Sequence, residues 1–182
     1  MNQAMTNSGD GVSRADFEAL VRPHVDHLYR VAYRFTGRRE DAEDLVQEVL
    51  AKLYPRRDRL VAVEQLGPWL TRVLYRQFID NQRKGARLRL LDNEAGAADP
   101  FDTMASESPE AESEVAANRD RGRLEQALDK LNPDQRAVIV LHDMEGYTLV
   151  ELSETLEVPT GTLKSRVHRA RARLRELLGE TL

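Results

Sequence analysis

Apolar residues in the first part of the chain recur at spacings of three and four, which predicts amphipathic helices. The first run comprises Phe17, Leu20, Val21, Val25, Leu28, Val31, Ala32 and Phe35. Gly37 follows this run and predicts a glycine C-cap. A second helix is predicted from the stripe Ala42, Leu45, Val46, Val49, Leu50 and Leu53. Acidic residues crowd its first turn from Glu40 onward, which suits the positive end of the helix dipole. A third helix is predicted from Pro68 through Phe78.

The back of the chain shows the same helical period together with helix-start signals. Leu124, Leu128 and Leu131 predict a helix that begins near Pro109. The stretch "NPDQ" then predicts an N-cap at Asn132 with Pro133 in the first helical position. We expect the helix that follows to continue to Gly146. No alternation typical of β-strands accompanies these patterns, so the predicted fold class is all-α.

The last two predicted helices form a helix-turn-helix pattern. Thr148 and Glu151 have capping-box spacing, a short apolar helix follows, and "VPTGT" predicts a tight turn containing Pro and Gly. Between Lys164 and Arg175 the final helix carries six Lys or Arg residues and no acid. In a helix-turn-helix the second helix enters the DNA major groove, which favours DNA binding. The alternatives are a solvated charged helix and a helical hairpin that imitates the motif.

Charge is distributed unevenly along the chain. The net charge of the 182 residues is −4, yet the segment from Asp92 to Asn118 holds eight acids and no base. This segment is also poor in large apolar residues, so it predicts a flexible acidic linker between two helical domains. Cysteine is absent, which excludes disulfides and thiolate metal sites. We expect no membrane insertion and a cytoplasmic location, because no long apolar run or secretory signal occurs.

Three stretches in order carry a specific resemblance. They are "DAEDLVQEVLAKLY", "PWLTRVLYRQFIDNQRK" and "LEQALDKLNPDQRAVIVLHDMEGYTLVELSETLEVPTGTLKSRVHRARARL". Together they resemble the extracytoplasmic function (ECF) group of bacterial sigma-70 RNA polymerase sigma factors. The resemblance implies a disordered tail over 1–13, a sigma-2 domain over 14–86, a flexible acidic linker over 87–110 and a sigma-4 helix-turn-helix domain over 111–178. It also implies transcription initiation for a stress or envelope-signal regulon.

The same resemblance implies partners and contact residues. Core RNA polymerase would be contacted at its beta-prime clamp helices and its beta flap, and an anti-sigma factor would restrain the protein. The expected polymerase-binding residues are Asp41, Asp44, Leu45, Gln47, Glu48 and Lys52. The expected contacts to the promoter minus-ten element are Arg72, Arg76, Asp80, Arg83 and Lys84. The expected contacts to the minus-thirty-five element are Lys164, Ser165, Arg166, His168, Arg169 and Arg173.

Two positions depart from the family pattern, and both bear on base preference. Arg76 stands where many members have Asn, and His168 stands where relatives often have a bulky or aromatic residue. Trp69 could stack on a base, but its apolar neighbours favour a place in the core. His24 and His27 have metal-ligand spacing without further ligands, which favours surface histidines. No catalytic constellation or cofactor motif is evident. The alternative function is a stand-alone helix-turn-helix regulator that binds duplex DNA.

Overall fold

The computed structural model describes residues 11–92 and 122–179, with the backbone alone for 88–92. The regular elements in these ranges are all helical. They are α1 (Arg14–Thr36), α2 (Arg39–Leu53), a 3₁₀ segment (Tyr54–Ala62), α3 (Leu66–Asp92), α4 (122–129), α5 (Pro133–Ile139), a π-helical turn (Val140–Met144), α6 (Leu149–Leu156) and α7 (Thr160–Leu178). We call α1–α3 the N-terminal domain and α4–α7 the C-terminal domain. Within these ranges no helix has the length and apolarity to cross a membrane.

Helix α1 is capped at both ends by residues that are close to it in the sequence. The Ser13 hydroxyl accepts from the Asp16 amide, and the Asp16 carboxylate accepts from the Ser13 amide, which completes a capping box. Gly37 ends the helix with φ 73°, as the sequence predicts. Val12 lies within the tail expected over 1–13, and its amide donates to Asp58 Oδ1 at 2.6 Å, which joins it to the 3₁₀ segment. Residues 1–10 lie outside the described ranges.

The apolar faces of α1, α2 and α3 meet in the core of the N-terminal domain. Phe35 on α1 and Phe78 on α3 stack with their ring centroids 5.0 Å apart and their planes 28° apart. Val31, Val49 and Leu70 are fully buried around them. Full burial of such side chains stabilises a fold by about 1.5–3 kcal/mol each. The periodic stripes seen in the sequence therefore form the core.

Helix α3 is longer than predicted. Its backbone remains helical to Asp92, past residue 87, where the linker is expected to begin. The stretch "ARLRLLD" consists mostly of good helix formers and contains no Gly or Pro, which explains the extension. The rest of the predicted linker, and the expected helix start near Pro109, lie outside the described residues.

The C-terminal domain begins its second helix as predicted but interrupts it. Asn132 Oδ1 accepts from the Gln135 amide at 2.9 Å, and Pro133 occupies the first helical position. The α-helix ends at Ile139 rather than near Gly146, and a π-helical turn follows, in which the Glu145 amide donates to the Val140 carbonyl at 3.0 Å. A π turn accommodates an additional residue, and such turns often occur at functional sites.

The helix-turn-helix is present, with a turn that differs from the predicted one. Thr148 and Glu151 form the expected capping box. Helix α6 ends at Leu156, and Glu157 takes the left-handed conformation at φ 56°. Gly161 does not form the turn, because α7 already begins at Thr160. A charged residue therefore occupies a backbone position that glycine usually fills.

Candidate nucleic-acid interface and the acidic surface of α2

Helix α7 presents a cationic outer face. Its inner face buries Leu163, Val167 and Ala170 against the rest of the C-terminal domain. Five of the six residues predicted to contact the minus-thirty-five element are exposed, namely Lys164, Ser165, His168, Arg169 and Arg173. Amphipathic packing thus leaves one continuous polar face available for a DNA groove.

Side-chain hydrogen bonds orient the start of that face. Arg169 Nε donates to the Ser165 carbonyl at 3.2 Å, and its Nη2 lies 3.3 Å from Ser165 Oγ. The Ser165 hydroxyl itself donates to the Thr162 carbonyl at 2.8 Å. Arg173, one turn further on, pairs with Glu176 at 2.9 Å. The Arg169 guanidinium is therefore held near the N-terminal part of α7, and Arg173 lies nearer its C-terminal end.

Two other arginines of α7 pair with acids elsewhere in the C-terminal domain. Arg166 is only 22% exposed, and its Nη1 lies 3.2 Å from Asp134 Oδ1. Arg171 makes a two-point contact to Asp143, at 2.9 and 2.6 Å, which raises the pKa of its guanidinium. In this arrangement, Arg166 is held away from the exposed cationic face. The basic count in the sequence could not show that Arg166 is largely buried or that the exposed Arg171 is paired with Asp143.

The predicted minus-ten residues lie along α3. Asp80, Arg83 and Lys84 are exposed. Arg72 and Arg76 instead reach the C-terminal domain, where both pair with the carboxylate of Glu157. Burial, and secondarily the nearby Arg76, lowers the pKa of Arg72. Helix α3 thus divides into a half that contacts the other domain and a half with free cations.

Trp69 and the two N-terminal histidines lie in structural environments. Trp69 is half-buried and packs against the core, as its apolar neighbours predict. His27 is not a freely exposed histidine, because its Nδ1 lies 3.4 Å from the Glu145 carboxylate in the C-terminal domain. His24 lies against Gly67. No cluster of three or more metal-ligating side chains occurs in the part of the chain that the structure describes.

The outer surface of α2 is acidic. Asp41, Asp44 and Gln47 are exposed, and within the described ranges the two aspartates form no ion pair. Leu45 is 3% exposed and packs in the core, and its contact with a partner stays a prediction. A groove of about 320 Å³ between α2 and α3 lies beside these acids. We call Asp41, Asp44 and Gln47 the α2 surface.

Glu48 and Lys52 belong to a closed polar ring between α2 and α3. Lys52 Nζ donates to Glu48 at 3.2 Å and to Gln77 Oε1 at 2.6 Å. Gln77 Nε2 donates to Asn81 Oδ1 at 2.8 Å, and Asn81 Nδ2 donates to Glu48 Oε2 at 2.8 Å. The hydrogen bond from Asn81 is the main cause that lowers the pKa of Glu48. The ring joins α2 to α3, the helix that carries the predicted minus-ten cations.

Replacing Asn81 with alanine is expected to destabilise the folded protein by about 1–3 kcal/mol at pH 7, because it leaves ring partners unsatisfied. The pKa of Glu48 is lower in the folded state than in the unfolded state. Its carboxylate therefore stabilises the fold at pH values above the unfolded pKa, and this stabilisation is lost as the pH falls through the folded pKa. The cost should therefore shrink below the ordinary Glu value of 4.5. Urea unfolding followed by circular dichroism at several pH values measures it. Gln47→Ala, at an exposed site on α2, is the control, and an equal loss for both variants would contradict the ring.

The geometry of the two domains indicates a class of protein. One helical domain has a helix-turn-helix with a cationic outer face, and the other has a second cationic helix beside an acidic surface. Such an arrangement is typical of two-domain DNA-binding proteins. Family models agree with both halves, since sigma-70 region 2 matches residues 20–88 and sigma-70, region 4 matches residues 121–174.

Similarity to curated proteins identifies the group within this family. The chain is 38% identical to the ECF RNA polymerase sigma factor SigE of Mycolicibacterium smegmatis, over 95% of this chain and 65% of that protein, so it spans about two thirds of this relative. It is 30% identical to the ECF RNA polymerase sigma factor SigW of Bacillus subtilis, over 89% of this chain and 88% of that protein. The chain belongs to the ECF sigma factors of the sigma-70 family.

A solved structure supports the arrangement of helices. The sigma factor RpoE from Bartonella quintana, in complex with the anti-sigma factor NepR, superposes with a TM-score of 0.66 at 27% identity. The match covers 90% of this chain and 97% of that chain. The prediction of two helical sigma domains is therefore confirmed, and the alternative of a stand-alone regulator is not favoured.

Proposed function

We propose that this chain binds core RNA polymerase and directs it to promoters through two separate DNA contacts. The observation that carries the proposal is the pair of cationic helices, α3 and α7, one in each domain. A simple regulator needs one DNA surface, whereas promoter recognition at two elements needs two. Family membership supports the same function.

The N-terminal domain would contact the minus-ten element through α3. Strand opening exposes bases and phosphates, and cationic grooves hold single strands by their backbone. Arg83 and Lys84 are free for this purpose, and Arg72 and Arg76 would join them once they separate from Glu157. Asp80 lies exposed on the same helix, where it can accept a hydrogen bond from a base amino group.

The C-terminal domain would read the minus-thirty-five element through α7. Lys164 and Ser165 lie in the first half of the helix, which is the part that touches base edges in a helix-turn-helix, and the Arg169 side chain reaches back to Ser165 from the middle of the helix. His168 lies on the same outward face. Arg173 is better placed for a phosphate, which fixes register without reading sequence. Arg166, held toward Asp134, would contribute only after this pair separates.

Replacing Arg169 with alanine is expected to relax base preference at one or two positions of the minus-thirty-five element. A two-point contact from arginine to guanine discriminates by about 1–3 kcal/mol. Arg173→Ala, the matched control on the same helix, should weaken all sequences equally and lower the salt slope by about 0.9 for one phosphate contact. Holoenzyme binding to matched and mismatched duplexes at several salt concentrations measures both effects. If Arg169→Ala instead weakens binding to all duplexes equally, α7 makes electrostatic contacts and does not read sequence.

The α2 surface would contact core RNA polymerase at the beta-prime clamp helices. Its exposed aspartates offer charge complementarity to a basic partner, and charge complementarity governs encounter and specificity at interfaces. Glu48 and Lys52 sit at the edge of this surface, inside the polar ring, so they would act mainly by fixing α2 against α3. The beta flap is the proposed second contact, made by the C-terminal domain.

An anti-sigma factor is the proposed restraining partner. The superposed RpoE structure contains such a factor, NepR, which supports a similar partner for this chain. A subunit of this kind performs no chemistry itself, so we propose that the chain is not an enzyme. Transcription takes place where polymerase and chromosome meet, which makes the cytoplasm the proposed location.

Transcription in vitro tests the proposed function. Purified core polymerase and the full chain are combined with a library of promoter sequences, and transcripts are sequenced. Initiation that depends on the chain and selects two conserved elements supports the proposal. Specific footprinting by the chain alone, as strong as that with polymerase, would favour a stand-alone regulator.

A further inference from the structure

The two domains meet through a set of charged and polar contacts. Glu145, in the turn before α6, pairs with Arg34 of α1. Tyr75 of α3 donates to Asp134 Oδ1 at 3.1 Å, and Tyr147 OH lies 3.5 Å from Thr71 Oγ1 on α3.

Arg136 adds a contact in the buried part of this boundary. It is 8% exposed and donates to the Phe35 carbonyl at 2.8 Å. Because this contact and Glu145–Arg34 join residues more than 100 positions apart, they define a docked arrangement of the domains.

Glu157 occupies a particular place in this boundary. It is the non-glycine residue with positive φ within the described ranges, and it lies in the turn between the two helices of the helix-turn-helix. Its two carboxylate oxygens contact different arginines, Oε1 with Arg72 and Oε2 with Arg76. A left-handed backbone is unfavourable for glutamate, so the local backbone conformation does not explain why an acidic residue stands at this position.

The contacts leave Arg72 incompletely satisfied. Its Nε is buried and meets no acceptor among the described residues. The donor fork of arginine matches phosphate as it matches carboxylate, and the shared carboxylate of Glu157 gives each arginine only one oxygen. DNA phosphate is therefore a suitable competitor for the position that Glu157 occupies.

We propose that Glu157 is an internal latch that masks Arg72 and Arg76 while the two domains are docked. This inference rests on the proposed role of these arginines at the minus-ten element. The turn of the minus-thirty-five module would thus block two cations of the minus-ten module in the same chain, and Arg72 and Arg76 would become available when the domains separate on polymerase. If only a fraction of the molecules adopts the open, DNA-binding conformation, the apparent affinity for DNA is lowered in proportion to that fraction.

Removing the carboxylate is expected to shift the docked state toward the open state. Glu157 is 59% exposed at its side chain, so its two ion pairs are partly screened. Glu157→Gln should therefore increase the open population by about three- to tenfold. Glu157→Gly should do the same while relaxing the turn, since glycine adopts positive φ readily. Glu154→Gln is the matched control, because Glu154 is an exposed acid of α6 with no ion pair in the described ranges.

Two measurements on the full chain test the latch. The first introduces a single cysteine at Thr71, which is 0% exposed and faces Tyr147, into a chain that has no other cysteine. Its rate of labelling by a thiol reagent reports domain opening without involving DNA. The second measures binding of a fluorescent single-stranded oligonucleotide of mixed sequence to the cysteine-free chain at low salt.

The expected result is that both Glu157 variants accelerate labelling and tighten DNA binding by about the same three- to tenfold, and that Glu154→Gln changes neither. Unchanged labelling in both Glu157 variants would overturn the latch. Faster labelling with unchanged DNA affinity would overturn the masking of Arg72 and Arg76. Neither of these failures touches the proposed function, which depends on transcription with core polymerase.

Discussion

Replacing Phe35 with alanine is expected to lower the free energy of unfolding of the N-terminal domain by about 3–5 kcal/mol. Phe35 is fully buried and stacks on Phe78, so truncation removes apolar contacts, an aromatic pair and the volume that both rings fill. The surrounding helices can relax only partly, because Leu28, Val31 and Leu74 are themselves fully buried. Chemical denaturation followed by circular dichroism measures the loss.

Val61→Ala is the control for this prediction. Val61 is 66% exposed in the 3₁₀ segment, so its truncation should change the free energy of unfolding by no more than about 0.5 kcal/mol. A loss below about 1 kcal/mol for Phe35→Ala would show that the Phe35–Phe78 pair is not central to the core. The backbone carbonyl that accepts from Arg136 remains in the variant, so the domain boundary keeps this hydrogen bond.

Reversing the charge of Asp41 and Asp44 together is expected to weaken binding to core RNA polymerase by about thirtyfold or more. Interface residues of this importance contribute about 2 kcal/mol or more, which corresponds to that factor. Both side chains are exposed on α2, so Asp41→Lys with Asp44→Lys should leave the free energy of unfolding nearly unchanged. Titration of labelled core polymerase with the variant measures the affinity.

The matched control reverses the same amount of charge elsewhere on the domain. Asp26 on α1 and Glu43 on α2 are exposed acids outside the α2 surface. Asp26→Lys with Glu43→Lys should retain most of the affinity. If the control loses as much as the Asp41 and Asp44 variant, the effect comes from net charge and the proposed docking surface is wrong.

Local signals in the sequence predicted most helices and several of their ends. Gly37, Asn132 and the Thr148–Glu151 capping box act as predicted, because each makes its contacts within a few residues of chain. The cationic outer face of α7 also follows from helical period alone. The three motifs predicted the sigma-factor family, which the comparisons confirm. The assigned contact residues remain predictions.

Several features of the candidate site depend on contacts that no local pattern encodes. The π-helical turn was missed, because apolar spacing resembles that of a continuous helix there. The ring residues Gln77 and Asn81 look like ordinary helix polar positions until α2 is packed beside α3.

The sequence by itself determined where most of the described helices begin, how several of them are capped, which faces are apolar and which family the chain belongs to. Only the tertiary structure decided which charges are free and which are paired. Arg76 and Glu157 are 81 positions apart, and Arg34 and Glu145 are 111 positions apart. Helical periodicity relates residues three and four apart, whereas pairing at such separations depends on how the two domains pack.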